Sequence, residues 1–531
     1  MTARKALVLT LSLLAVVVAW SWPLVLHPAT YVALPQRLRG HWLEIVANDQ
    51  LLTIFGVAHN ARALVSGNFR ALIDHGLCWP TPNAGFLGEH MIEAGLLGIP
   101  GYLVSGDPVV AYNLACLLSI VIAGLSMYGL LSYHGAGAAG AWVAALLFAL
   151  SPARLDNLSH LAVAGTHWIP LVLLGLERLI DRRRLRDAMV LVLAAVPACL
   201  TGSYPLMTLA VFGGGYASVR LAAKRQCADR RFALLFSAAV LAVAAAVIAL
   251  LSPYFEGQGT WRLFFGRGTT LATYASLMPG GSRGVGLVAL LLAAAGSRRG
   301  YRGAWLALAA GAFLCLVTST EGRLWPAGPY LPSLYSIAAA RLELLHYVRV
   351  PAALTGGVVL GLAALAGLGA DRLTAVAARR APRWAPAIGA GIVLLVLAEV
   401  FWPPLARVTY GRDLRLAVRE VAPRPEEVAA YGDAEEPVLD LPYHDDVRRG
   451  VLREMPHYVL LAAYHGRKAA ACYNSYKPPS QQNAARLATR LLEDRERALD
   501  EIAAAGFRSI VVHPEMPGAA GYAGLSGQVP E

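Results

Sequence analysis

The sequence predicts a polytopic α-helical membrane protein with a small C-terminal α/β module, and three observations carry that reading. Of 531 residues, 56% are hydrophobic and only 15% charged, outside the range of an ordinary soluble domain. The apolar residues gather in continuous blocks of roughly 15 to 23, the length a helix needs to cross a bilayer. These blocks lack the alternation of a transmembrane strand, so helices rather than a closed barrel must satisfy the backbone in lipid.

Taken in order, Ala3-Arg4-Lys5 precedes an apolar run over about 6–26. That run ends Trp20-Ser21-Trp22-Pro23, without the small residues of a cleavage site, so it reads as an uncleaved first span. Further spans are expected at about 108–131, 138–152, 161–180, 188–202, 204–223, 232–252, 284–297, 303–318, 352–370 and 386–404, about eleven in all. The apolar segment Ile92 to Val104 is read as a re-entrant or interfacial helix, because counting it as a span inverts every later loop. With the N-terminus cytoplasmic, the basic clusters Arg182-Arg183-Arg184, Lys224-Arg225, Arg230-Arg231, Arg298-Arg299 and Arg379-Arg380 fall inside. The loops 27–107, 253–283 and 319–351 then face outward with the C-terminal segment. The net charge of +12 is thus assigned to topology, and no nucleic-acid partner is expected.

Six cysteines (78, 116, 199, 227, 315 and 472) show no CxxC pair. Most read as small apolar filler in or beside spans. Cys78 and Cys472 could in principle form a bridge, and the reading does not rest on it.

After Trp402-Pro403-Pro404 the composition turns polar, dividing a membrane domain over 1–404 from a module over 405–531. Pro437 to Pro442 and Ser509 to His513 read as buried strands. Between them, Gln482 to Ala505 has helical spacing, with Leu487, Leu491, Leu492, Leu499 and Ile502 on its apolar face. The glycine-rich run 361–369, inside a span, reads as close helix packing.

The longest polar interruption of the membrane part runs from Ala47 to His90 and holds most of the candidate chemistry. It carries Asn48-Asp49, His59, Asn60, Asp74, His75, the Cys78-Trp79-Pro80-Thr81-Pro82-Asn83 run and Gly88-Glu89-His90. Asp49 and the Glu89-His90 pair each fit two roles, a helix N-cap or a site residue. Asp156-Asn157-Leu158-Ser159-His160 lies in the next outward loop. Three such clusters at one membrane face suit a single site: a carboxylate or imidazole activates a hydroxyl, and cations, donors or a bridging metal hold a phosphate leaving group. No ligand spacing identifies a metal.

Asn48-Asp49-x-Leu-Leu, Trp79-Pro80-x-Pro-Asn with Gly88-Glu89-His90, and Asp107-Pro108-Val-Val-Ala-Tyr-Asn113 follow one another in order. Together they resemble motifs of the GT-C superfamily of polytopic membrane glycosyltransferases, in particular its poorly characterised bacterial branch. Ser151-Pro152-Ala-Arg154, Ser159-His160-Leu and Trp168-Ile-Pro170-Leu continue the series, which covers about residues 48–178. Further on, Arg349-Val350-Pro351 is similar to the branch's outer-loop Arg motif. Asp440-Leu441-Pro442-Tyr443 and Tyr464-His465-Gly466-Arg467-Lys468 are similar to its outward C-terminal module. Asn48 stands where the branch usually has Gly, Asp107 where it has Asn, and Ala353 where it often has a second Arg.

The resemblance implies sugar transfer from a polyprenyl-phosphate carrier to an envelope glycan, lipid or protein acceptor, at the outer face and with inversion. Asp49 would be the base and Glu89 a second acid. His90, His160, Arg154 and Arg349 would meet phosphate or substrate. A divalent metal, Mg or Mn, if used, would fall to Asp49, Glu89 and His160. The competing expectation is a non-catalytic membrane protein, a transporter or an envelope assembly factor, or an inactive scaffold of the same fold.

Overall fold

A computed structural model describes residues 3–34, 41–224, 229–256, 286–296, 355–410, 413–444, 454–474 and 478–529. The expected span at 303–318, Arg349, Ala353, Cys227 and Cys315 lie outside the described residues.

Seven segments among the described residues are long and apolar enough to cross a membrane: Pro108–Tyr133, Ala138–Leu155, Leu161–Arg182, Ser203–Ala223, Arg230–Ser252, Gly356–Arg380 and Pro382–Phe401. Each coincides with an expected span, and the chain is a helical membrane-embedded protein. Three apolar helices are shorter, Ala6–Ser21, Ile92–Ser105 and Leu287–Gly296. The span expected at 188–202 is a 16-residue helix, Leu185–Leu200, with Pro197 inside it.

Four helices frame the candidate residues of the first long loop. They are α1 (Ala3–Ser21), α2 (His41–Ser66), α3 (Ile92–Ser105) and α4 (Pro108–Tyr133). The 14 residues of α3 rise about 21 Å, short of a hydrocarbon core of about 30 Å. Its glycines let it lie close on its neighbours. A Cβ on Gly95 would stand 2.3 Å from Asn60 Cβ on α2, and one on Gly101 would stand 3.0 Å from Ala111 Cα on α4. Gly95→Ala is therefore expected to lower stability by about 1–3 kcal/mol, the range for overpacking. Gly391→Ala, with nothing within 4 Å of the added carbon, serves as the neutral control, and thermal unfolding in detergent measures both. The 361–369 run does make close approaches: a Cβ on Gly367 would meet Gly140 O at 2.6 Å.

Charges inside the helical bundle are paired rather than left in lipid, where an isolated one is costly. Arg220 grips Glu177 through Nε and an Nη at 2.6 and 2.7 Å, and Tyr216 donates to the same carboxylate. Glu399 is fully buried and accepts from the N–H of Val288 at the start of Leu287–Gly296.

Among the described residues, two small sheets tie the C-terminal segment to the loop after α1 and to itself. Strand β1 (Tyr31–Leu34) pairs antiparallel with β2 (Ala417–Glu420), with Tyr31 opposite Glu420. Both expected strands form: β3 (Val438–Leu441) runs parallel to β4 (Ser509–Val512), and β4 pairs antiparallel with β5 (Gly527–Gln528). A parallel pair needs a long crossover. Helices Glu454–His465, Pro479–Glu493 and Arg495–Ala504 supply it.

The single helix expected over 482–505 is two, because Asp494 breaks the first and caps the second, accepting from Arg497 N at 3.3 Å. Leu487, Leu491 and Ile502 are buried as the spacing predicted, whereas Leu492 is exposed. The apolar cluster under this sheet draws on both ends of the chain, combining Phe55, Leu77 and Leu87 with Leu439, Tyr458 and Ile510.

The filler reading of the cysteines fails for one pair. Cys78 and Cys472 are disulfide-bonded, with Cα atoms 4.6 Å apart. Backbone bonds seat this bridge: Cys78 N and Trp79 N donate to Ala471 O and Ala469 O, and Ala469 N donates to Gly76 O.

Candidate functional site

One face of α2 organises the site. Asp49, Thr53, Gly56 and Asn60 recur at helical spacing; Asp49 meets the C-terminal segment, Gly56 and Asn60 meet the residues just before α3, and Thr53 bonds back to Asp49 O within the helix. Asp49 lies in the third turn of a helix that begins at His41, which removes its expected alternative role as an N-cap. Its Oδ1 accepts from the hydroxyl of Tyr473 at 2.8 Å. Farther along, Gly56 leaves room for the Met91 side chain. Asn60 donates to the carbonyl of His90 at 2.8 Å. Eleven residues separate Asp49 from Asn60, roughly 16 Å along the axis, so Asp49 and His90 belong to one face but not to one hydrogen-bonded cluster.

Glu89 caps a different helix from the one expected. It takes Ser203 N at 2.9 Å and Ser203 Oγ at 2.6 Å, at the start of Ser203–Thr208, while the residue before α3 is Met91, without a side-chain cap. The chain joins Glu89 to Asp49 through its neighbours: a Cβ on Gly88 would stand 2.8 Å from Asn474 Oδ1, and Asn474 follows Tyr473. His90 is buried, and burial lowers its imidazole below the usual histidine range. Its Nδ1 has no partner among the described residues.

The loop around residues 156–160 is fixed from two sides. Tyr112 donates to Leu158 O at 2.9 Å and accepts from the fully buried Gln50 amide at 3.0 Å. Arg154 donates to Ala164 O, Thr166 Oγ1 and Ser119 O at 2.8, 3.0 and 3.3 Å. Its Nη donors therefore fold the loop back on α4. His160 sits between these anchors, with a buried Nδ1 that has no described partner. Asp107, in the Asp-Pro motif, is an N-cap of α4, accepting from Val109 N and Val110 N.

Sequence reasoning missed Glu93 and Tyr473. Glu93 is buried and holds three donors: Trp168 Nε1 at 2.7 Å, His167 Nε2 at 3.0 Å and Thr201 Oγ1 at 3.2 Å. The signal was present, since Glu93 is the one charge in the apolar stretch 92–104, and an ionisable residue in such a stretch calls for a partner. Tyr473 had no local signal; only the fold brings it 424 positions back to Asp49.

The expected metal set does not assemble. Asp49, Glu89 and His160 are held by separate elements, and the carboxylate oxygens of Glu89 are committed to Ser203. Among the described residues, ligand atoms close enough to share an ion occur at Glu427, His457 and Glu515, in the C-terminal segment. There Arg424 already lies 3.3 Å from Glu427 and 3.5 Å from Glu515, acting as their counter-cation.

Behind this group the Asp440 motif is structural. Tyr431 makes a short hydrogen bond to Asp440, and His513 Nε2 lies 3.2 Å from the same oxygen. His465 stacks on Tyr431 with centroids 4.0 Å apart, and its Nδ1 accepts from Arg467 N. Burial pushes the His465 imidazole down to about 4. A group that is depressed in the folded state resists protonation until low pH, whereas the unfolded chain protonates it near 6.5. Stability is thus expected to fall progressively as pH drops from about 6.5 towards 4, by roughly 3 kcal/mol at most from this group. Unfolding of the C-terminal segment followed across that range, with His465→Phe as the flattened comparison, checks it.

Fold and site together define a helical membrane protein whose polar residues gather where the long loop after α1 meets the C-terminal segment. No known family model matches this chain, and no curated protein matches it in sequence.

Proposed function

We propose that this chain is a membrane glycosyltransferase of the GT-C type, moving a sugar from a polyprenyl-phosphate carrier to an envelope acceptor with inversion. The observation that carries the reading is Asp49: a half-buried carboxylate within a helix, beyond the first span, with one oxygen held by a neutral donor. In this reading Asp49 takes the proton of the acceptor hydroxyl. The acceptor oxygen bonds to the sugar's anomeric carbon as the bond to carrier phosphate breaks, and the carrier leaves as its phosphate. Glu89, committed to Ser203, shapes the wall of the site, and His90 and His160 face substrate. Arg349 is assigned to the phosphate on the motif alone.

The site is placed at the outer face of a bacterial cytoplasmic membrane. The basic clusters between spans favour that orientation, and a disulfide between the first loop and the C-terminal segment suits an oxidising compartment. About eleven spans and an extracytoplasmic α/β module complete the proposed topology.

One observation favours a second reading, an inactive scaffold or a non-catalytic envelope protein. Asp49, Glu89 and Arg154 each already bind a group of this chain. Labelled sugar offered from several polyprenyl-phosphate donors, in membranes holding the wild-type protein, separates the two. Labelled product supports the transferase; its absence with every donor supports the scaffold.

A further inference from the structure

We infer that Tyr473, supplied by the C-terminal segment, is a positioning residue for Asp49, and that the Cys78–Cys472 bridge seats it there. The inference rests on the glycosyltransferase reading and deepens it at the same site.

The geometry is direct. The Tyr473 hydroxyl donates to Asp49 Oδ1 at 2.8 Å. Burial, and then the neighbouring charge of Asp49, raise the tyrosine above its usual range, so it remains a protonated donor at working pH. A donor on one carboxylate oxygen fixes the carboxylate plane and so aims the other oxygen.

The backbone that carries Tyr473 is clamped on both sides. Cys472 precedes it and is bonded to Cys78. Asn474 follows it, with Nδ2 3.5 Å from Cys78 Sγ and its oxygen against Gly88. The carbonyls of Ala469 and Ala471 hold the N–H groups of Trp79 and Cys78. Residues 469–474 therefore lie along 76–88, and the Tyr473 side chain is delivered onto α2 by a covalent tether rather than by a free segment.

The test is the transfer assay with the full chain in membranes, comparing wild type, Tyr473→Phe, Cys78→Ser/Cys472→Ser and the triple variant. Phenylalanine keeps the ring and removes only the donor. Tyr473→Phe is expected to lower kcat about tenfold with KM unchanged. A tyrosine that only fills space would leave kcat unmoved, because phenylalanine fills the same space. The cysteine variant should lose activity in the same sense, and the triple variant should be no worse than Tyr473→Phe alone, since the two changes act through one contact.

Unchanged kcat in Tyr473→Phe, with Asp49→Asn inactive, overturns this inference alone. Additive losses in the triple variant overturn the role of the bridge. No transfer by the wild type overturns the glycosyltransferase reading, and this inference with it. If the cysteine variants fail to insert, Tyr473→Phe alone decides.

Discussion

Asp49→Asn is expected to lower sugar transfer by about 10²- to 10⁴-fold, the contribution typical of a positioned general base, without changing membrane insertion. The substitution keeps the volume of the side chain, and its carbonyl still accepts from Tyr473. It removes only the capacity to take a proton. Because α2 is a continuous helix through this position and Asp49 caps nothing, little structural cost should accompany the change. Glu89→Gln is the informative contrast. Both Glu89 oxygens are bonded to Ser203 at the start of Ser203–Thr208, and a glutamine amide reproduces only part of that. Its loss should therefore appear chiefly in stability. Radiolabelled product per unit of inserted protein measures both variants. Wild-type rates in Asp49→Asn would remove Asp49 from the mechanism.

What was legible in the sequence follows from which signals are local. Span-length apolar blocks are local, and the seven long apolar segments appear where the blocks stand. The strands β3 and β4 were legible for the same reason, as short apolar runs bounded by turn residues. The break at Asp494 was not, because Leu487 and Ile502 share an apolar face whether one helix or two carries them. Asp49 and Glu89 were visible as acids in an apolar chain, but their partners were not. Tyr473 and Ser203 lie 424 and 114 positions away, and nothing near them in sequence marks them as donors. Spacing alone also misassigned the caps: an acid before an apolar run suggests an N-cap, yet Glu89 caps a helix that begins more than a hundred residues later. The Cys78–Cys472 pairing stood in the sequence only as a possibility, since no local spacing selects it across a separation of 394.

Removing the disulfide with Cys78→Ser/Cys472→Ser is expected to weaken docking of the C-terminal segment by about 2–4 kcal/mol, roughly a 30- to 800-fold shift toward the undocked state. For a free chain, closing a loop across a separation of 394 residues would carry about 6 kcal/mol of entropy. That figure is too large here. Much of the intervening chain is apolar helix that stays in the bilayer when the bridge is absent, so its two ends never explore the space of a random coil. Other contacts also persist. Arg62 still reaches Ala463 O at 2.7 Å, Thr81 still meets Ser480, Arg419 still donates to Ala47 O, and β1 still pairs with β2. The expected result is therefore local opening around 76–81 and 469–474, with the helical bundle intact. Hydrogen exchange with and without reductant measures it: faster exchange at Cys78, Trp79 and Ala469, whose N–H groups bond across this seam, with the α4 amides unchanged. Equal protection in both states would mean that the apolar cluster shared by Phe55, Leu87 and Leu439 holds the segment unaided. The bridge would then be a consequence of docking rather than a cause.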